Sequence, residues 1–419
     1  MKKIYSTLIA FGLVGSVAAQ CVGNRYRTFE FTAVDATPNI QYGSNINLQG
    51  NSQTLSLDVY EPQGDIETSR PLVILIHGGS FVGGSRTGTD VVPLCQDLAK
   101  LGYVTSSIQY RLGMAGVPLP GPDSVGATES VVRAYHDLKA AIRFFKKDVT
   151  ENGNTYGVDT NNIFIAGVSA GGITAVHVAY MDELSEMPSY VDYTKPGLGG
   201  GLEGLSGNVG YSSDFKAVIN IAGALRDTTW MKTGDKPILS LHGDNDGTVP
   251  YGTSTISMLG IWPIMEISGS HSIHEQADRV GIVNCLETHE GQGHVPHVNN
   301  ASYYDTTLTF MRNFLLSQYC NEALDCFYNN PLPLLVSEND PAKGFNVYPN
   351  PSKGLFTLEL NIAYTSSMSI SITDMTGREV YRSNLNNIRQ DINLDLASGV
   401  YHVSVVSENQ RFVKKLIVQ

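Results

Sequence analysis

At 419 residues, 42% of them hydrophobic, the chain is long enough for two or three domains and has ample material for packed cores. Lys+Arg 28 against Asp+Glu 40 gives a formal net charge of −12. With no basic patch along the chain, nucleic acid and anionic membrane surfaces are excluded as natural partners.

Met1-Lys2-Lys3, an apolar run over residues 4–19 and small residues at its end read as a secretory signal peptide spanning residues 1–20. No other stretch is apolar over the length a membrane-spanning helix needs. Five cysteines, Cys21, Cys95, Cys285, Cys320 and Cys326, permit two disulfides and one thiol in an exported chain. A short clip between Cys320 and Cys326 and a long-range bond to Cys21 are both open. The five are too scattered for a zinc site.

Alternation in Thr28-Phe29-Glu30-Phe31 and in Leu55-Ser56-Leu57-Asp58-Val59-Tyr60 predicts half-buried antiparallel strands. Residues 71–76 form a continuous apolar run, the pattern of a strand covered on both faces of a parallel sheet. It ends in His77-Gly78-Gly79-Ser80-Phe81, a loop whose backbone N–H groups can approach a ligand closely. A helix is expected over 91–101, a strand over 103–110 and a long helix over 128–147.

Ile163-Phe164-Ile165 then leads through Gly167-Val168-Ser169-Ala170-Gly171-Gly172 into helix-compatible apolar residues. Strand, tight turn and helix in that order are the setting of a nucleophile elbow with Ser169 at its tip. Residues 183–213, rich in Gly, Ser and Asn, read as a long flexible insertion bordering the site. With the 114–123 loop, that insertion is expected to wall the pocket.

Strands at 215–221 and 237–241 follow, the second ending in His242-Gly243-Asp244-Asn245-Asp246-Gly247-Thr248-Val249-Pro250. A last strand region at 280–290 runs into Gly291-Gln292-Gly293-His294-Val295-Pro296-His297, and a closing helix is expected over 303–319. The alternation of strands and helices predicts an α/β domain over 21–326 with a mostly parallel sheet. A linker is expected at 327–343. Residues 344–419 hold short β-like runs separated by turns such as Asn350-Pro351 and Thr376-Gly377, the pattern of a small all-β sandwich. His402 there reads as an exposed strand residue.

Ser169, Asp246 and His294 follow the ends of successive strands, in the order nucleophile, acid, base. A base beside the hydroxyl raises its nucleophilicity, and a carboxylate behind the base selects the imidazole tautomer. His297 competes with His294 as base, and Asp244 with Asp246 as acid. Asp244-Asn245-Asp246-Gly247 echoes a calcium loop, but the twelfth position from Asp244 is Thr255, where a Glu is needed. His271 and His274 lack the carboxylates or cysteines a metal site requires.

The His77–Phe81 loop, Tyr110-Arg111-Leu112-Gly113, the Ser169 elbow, the turn from Asp246 to Pro250 and His294 together resemble the carboxylesterase and lipase-like branch of the α/β-hydrolases. The resemblance covers roughly residues 26–319. It implies ester hydrolysis through an acyl-enzyme with no cofactor, and an oxyanion hole built from the backbone N–H groups of Gly79, Ser80 and Ala170. Ser80 stands where that family has a third glycine. Short-chain esters, acetyl or feruloyl among them, are the implied substrates. A lipase, a polyester hydrolase or a catalytically silent binding protein on the same fold are the alternatives.

The tail motifs Phe345-Asn346-Val347-Tyr348-Pro349-Asn350-Pro351, Asp374-Met375-Thr376-Gly377 and Leu396-Ala397-Ser398-Gly399-Val400-Tyr401 resemble the C-terminal sorting domain of type IX secretion in Bacteroidetes. That resemblance implies export through the periplasm by the type IX machinery to the cell surface or beyond.

Overall fold

The computed structural model describes residues 21, 23–258, 260–328, 344–362, 364, 368–374, 379–407 and 410–419. The expected signal peptide, most of the expected linker and the Thr376-Gly377 turn lie outside these. The chain forms two compact units, one ending at Leu332 and the other starting at Pro333.

The first unit is built on β1 (Val34–Ile46), β2 (Ser52–Pro62), β3 (Arg70–Ile76), β4 (Val104–Ile108), β5 (Val158–Val168), β6 (Ala217–Ile221), β8 (Ile238–Gly243) and β11 (Asn284–His289). They form one sheet in the order β1-β2-β4-β3-β5-β6-β8-β11. β1 and β2 join antiparallel, and all pairings from β4 to β11 are parallel. This is the α/β-hydrolase fold anticipated from the motifs.

The apolar run of β3 alternates between two cores. Leu72, Ile74 and Ile76 pack with Tyr135, Leu138, Ile142 and Phe145, while Val73 and Leu75 pack with Leu94, Leu98, Phe310 and Phe314. Those partners lie on α1 (Val92–Lys100), α2 (Ser124–Glu151) and α5 (Ala301–Cys320); α3 (Ala170–Tyr180) and α4 (Ser270–Val280) complete the helical layers. Both faces of the sheet are thus covered, which is why its strands are apolar throughout. Local signals mark the helix ends: Asp123 caps α2 through Gly126 N, Asn300 caps α5, and Gly281 closes α4 in the left-handed conformation.

β3 is flanked by β4 on one side and β5 on the other, so the chain leaves these neighbouring strands in opposite directions. A crevice opens at such a point, beyond the carboxyl ends of the strands, and both the His77–Phe81 loop and Ser169 stand there.

Three expectations are corrected. Thr28-Phe29-Glu30-Phe31 is not a strand: Glu30 N and Phe31 N both donate to Lys100 O, binding the segment to the end of α1 as a loop. Over 280–290, α4 runs to Val280 and the strand begins only at Asn284. A three-stranded sheet not anticipated at all joins β7 (Ala224–Leu225), β9 (Thr253–Met258) and β10 (Trp262–Gly269). Gly260 in its turn and Pro263 within β10 obscured the alternation, and the register slips between Pro263 and Met265.

The cysteines pair as Cys21–Cys320 and Cys285–Cys326, leaving Cys95 as a buried thiol. Both bonds hold the chain around α5.

The second unit packs the antiparallel sheet β12-β13-β16 and the four-stranded sheet β15-β14-β17-β18. These strands are β12 (Phe345–Tyr348), β13 (Leu355–Leu360), β14 (Ser369–Asp374), β15 (Glu379–Asn384), β16 (Arg389–Asn393), β17 (Gly399–Ser407) and β18 (Gln410–Val418). Phe356, Leu358, Ile370, Ile372, Val403 and Val405 alternate into its core. His402 faces outward from β17.

Candidate active site

β5 ends at Val168, and α3 begins at Ala170. The one residue between them, Ser169, has φ 55° and ψ −116°, a strained backbone that turns its side chain out at the strand end. The turn is too tight for side chains on its flanks. A Cβ on Gly167 would lie 2.0 Å from Gly171 O, and one on Gly171 would lie 2.0 Å from Ile76 O. Ser169 N donates to Ile221 O at 2.8 Å, tying the elbow to β6.

The glycine loop lies directly against this serine: a Cβ on Gly78 would be 3.2 Å from Ser169 Cβ. Gly79, Ser80 and Phe81 all have positive φ, and Val82 N and Gly83 N close the turn by donating to Gly79 O. Ser80, at φ 53°, adopts the left-handed conformation that a third glycine would take more easily. Neighbours hold the loop. Gly78 N donates to Asp90 Oδ2, Gly113 N donates to Phe81 O, and the His77 ring stacks on Tyr110 at 4.4 Å. Gly79, Ser80 and Ala170 line the same cavity as Ser169.

His294 bridges the other two residues. Its Nε2 is 2.8 Å from Ser169 Oγ, and its Nδ1 donates to Asp246 Oδ2 at 2.6 Å. The Asp246 side chain is fully buried and that of His294 partly exposed. Burial alone would raise the Asp246 pKa, but hydrogen bonds from His242 and His294 and from the Thr248 N–H outweigh it and hold the carboxyl well below its usual range. The competing residues have other tasks. Asp244 accepts from Gly291 N at 2.6 Å, and Asn245 N donates to Gln292 O, so the loop after β8 is stitched to the loop carrying His294. His297 is buried in the turn Pro296–Val298, where burial pushes its ring down to about 4, and it is not a partner of Ser169.

His271 is exposed and stacks on Tyr251, and His274 Nδ1 bonds Asn284 Oδ1, so the two form no pair. Among the described residues, Asp182, Glu183 and Glu186 come close enough to hold a metal, but Lys232 Nζ already sits between Glu183 and Glu186 at 2.8 Å from each.

Sequence reasoning missed His242. Its Nε2 faces two acceptors, Asp246 Oδ2 at 3.2 Å and Val249 O at 3.1 Å, and so must carry the proton. Its Nδ1 then accepts from Ser270 Oγ at 2.8 Å, and Asn220 Nδ2 donates to Ser270 and Ser240. This buried chain fixes the same carboxylate oxygen, Asp246 Oδ2, that receives the bond from His294. The position of His242, four residues before Asp246 at a strand end, was the available signal.

His242→Leu removes one donor and should lower turnover about tenfold, the value of one hydrogen bond of roughly 1.4 kcal/mol. It also has a pH signature. A depressed carboxyl adds stability above its unfolded pKa of about 4, and that stability is lost as pH falls through the folded value. Losing the donor moves the folded value up. The gap in unfolding midpoint between wild type and variant should therefore narrow below about pH 4. A gap independent of pH would show that His242 does not act through Asp246.

Ser169 opens into a cavity of about 670 Å³ with mostly apolar walls. They come from α2 (Val131, Val132), α3 (Ile173) with Met181 just after it, the β9–β10 hairpin (Ile256, Met258, Ile264, Met265, Ile267) and Trp230. Of the two segments expected to wall it, the 114–123 loop supplies Met114 and Val117, but the 183–213 insertion supplies only Pro188. That insertion is anchored away from the cavity: Arg111 donates to Gly197 O, Arg143 to Glu203 and Gly207 O, and Lys139 to Glu203.

The family BD-FAE matches residues 57–225, and the family described as Secretion system C-terminal sorting domain matches residues 346–419. Gut esterase 1 of Caenorhabditis briggsae is 29% identical over 137 residues, 33% of this chain and 23% of that protein. Carboxylesterase 3B of Mus musculus is 33% identical over 123 residues, 28% of this chain and 19% of that protein. The chain thus spans about a fifth of the length of these curated relatives. A solved structure described as a truncated form of carbohydrate esterase from gut microbiota superimposes with a TM-score of 0.46 at 20% identity, over 70% of this chain and 98% of that one. Among the described residues no helix is long and apolar enough to cross a membrane. The chain carries a BD-FAE domain on an α/β-hydrolase fold, followed by a secretion system C-terminal sorting domain.

Proposed function

We propose that this protein is an exported serine carboxylesterase. The observation that carries the reading is the position of His294, whose two ring nitrogens reach Ser169 Oγ at 2.8 Å and Asp246 Oδ2 at 2.6 Å. In the proposed cycle, Ser169 Oγ attacks the ester carbonyl and passes its proton to His294 Nε2. Asp246 stabilises the imidazolium through Nδ1–H. The carbonyl oxygen, now an anion, is met by the backbone N–H groups of Gly79, Ser80 and Ala170 near the positive end of α3. His294 then protonates the departing alkoxide, leaving an acyl group on Ser169. Water, deprotonated by His294, attacks that acyl group, and the carboxylic acid departs as Ser169 regains its proton. No step calls for a cofactor.

Acetyl, feruloyl and other short-chain esters remain the proposed substrates, and a cavity of about 670 Å³ supports acyl or alcohol groups well above acetyl in size. The relatives named gut esterase and carboxylesterase support the same reaction class. The sorting domain supports type IX export, with residues 1–20 as the signal that precedes it.

Treating the full chain with a fluorophosphonate tests the nucleophile directly. One adduct per chain, mapped by peptide mass spectrometry to Ser169, is expected. A folded protein that takes up no label would point to a silent binding protein instead.

A further inference from the structure

The walls of the cavity beside Ser169 carry few polar side chains, and one of them, His177, is set as a hydrogen-bond acceptor. It lies on α3, on the stripe Ala170, Ile173, His177 and Met181 that forms one side of the cavity. The residue is 6% exposed. Its Nδ1 is 2.7 Å from Ile173 O, and since a carbonyl only accepts, Nδ1 carries the proton. Nε2 is then a bare lone pair, with no hydrogen-bond partner among the described residues. Burial and the neighbouring Arg226 push the ring down to about 4, so it stays neutral near pH 7. The Trp230 ring meets it edge to face at 5.7 Å and fixes its plane.

Resting on the esterase reading, we propose that His177 is a specificity residue: it accepts a hydrogen bond from a hydroxyl at the far end of an elongated apolar group on the ester. The helix sets the length. Eight residues at 1.5 Å each place His177 roughly 12 Å along α3 from Ser169. Allowing for the two side chains, an aryl or alkyl group with its hydroxyl about 8–10 Å from the scissile carbonyl spans that interval. A substrate of the same shape lacking the hydroxyl fills the cavity and strands Nε2 without a partner, which is how such a site rejects it.

The test uses two ester pairs on the full chain: methyl 3-(4-hydroxyphenyl)propanoate against methyl 3-phenylpropanoate, and methyl 8-hydroxyoctanoate against methyl octanoate. The wild type should favour the hydroxylated member of at least one pair about tenfold in kcat/KM, and the pair that shows it identifies aryl or alkyl. His177→Leu should bring the ratio to about one, and His177→Gln, which keeps an acceptor, should restore part of it. Fluorophosphonate uptake by each variant reports that it is folded. Wild-type ratios near one in both pairs, with turnover intact, overturn the role of His177 and leave the Ser169 chemistry standing. If none of the four esters is turned over and Ser169 takes no label, the esterase reading itself fails. Calorimetric binding of the same pairs to Ser169→Ala then decides on His177 alone: tighter binding of the hydroxylated member supports it, and equal binding overturns it.

Discussion

Ser169→Ala is expected to lower kcat for any ester this protein turns over by roughly 10⁶-fold, the loss seen when a serine nucleophile is removed from a working triad. The geometry gives no other hydroxyl that role, since His294 Nε2 points at Ser169 Oγ and its Nδ1 is committed to Asp246. Alanine keeps the Cβ that rests against Gly78 and meets the same backbone strain at φ 55° as serine, so the elbow should survive. Only the bond from Oγ to His294 is lost. The unfolding midpoint should therefore correspond to a change within about 1 kcal/mol. Initial rates on a chromogenic ester, measured beside a urea titration, separate the two quantities. Substantial residual turnover in a folded variant would falsify the assignment of Ser169.

The largest expected loss of stability lies away from the chemistry, in the pair Arg111 and Asp137, both fully buried. Asp137 accepts from Arg111 Nε, Arg111 N and Ser206 Oγ. The guanidinium also donates to Ile46 O, Gly197 O and Arg133 O. One ion pair thus joins β1, α2 and the 183–213 insertion. Asp137→Ala leaves an uncompensated buried cation, which costs about 3–5 kcal/mol. Urea unfolding should show that loss, and limited proteolysis should cut the insertion first, because its anchor at Gly197 and Ser206 is weakened. The double variant Arg111→Met/Asp137→Leu removes both charges and should recover much of the stability. A loss under 1 kcal/mol in the single variant would mean that the other anchors suffice.

The esterase-like site was legible because its parts are written as local signals. A buried strand must be apolar on both faces, a tight turn must have small flanking residues, and a ligand loop must be rich in glycine. Those constraints act over a few residues each, so residues 71–81 and 163–172 declare their geometry without reference to the rest of the chain. The order of Ser169, Asp246 and His294 then follows from the order of the strands that carry them. Ser80 shows the limit of such signals: it holds a left-handed position that the glycine rule alone would assign to another residue.

Folding alone decided the rest, because it depends on which distant segments meet. Arg111 joins residues 46, 133, 137, 197 and 206, and no local pattern says that a Gly-rich stretch will be held by it instead of covering the pocket. Cys21 finds Cys320, 299 residues away, in place of the near neighbour Cys326. The β9–β10 hairpin walls the cavity although Gly260 and Pro263 break its alternation. His242 and His177 read as ordinary strand and helix residues until their neighbours are known. Local propensity determined the strand ends and the chemistry placed on them. Tertiary packing determined the walls, anchors and second histidines, since a side chain's partner is fixed by burial in three dimensions and not by its spacing along the chain.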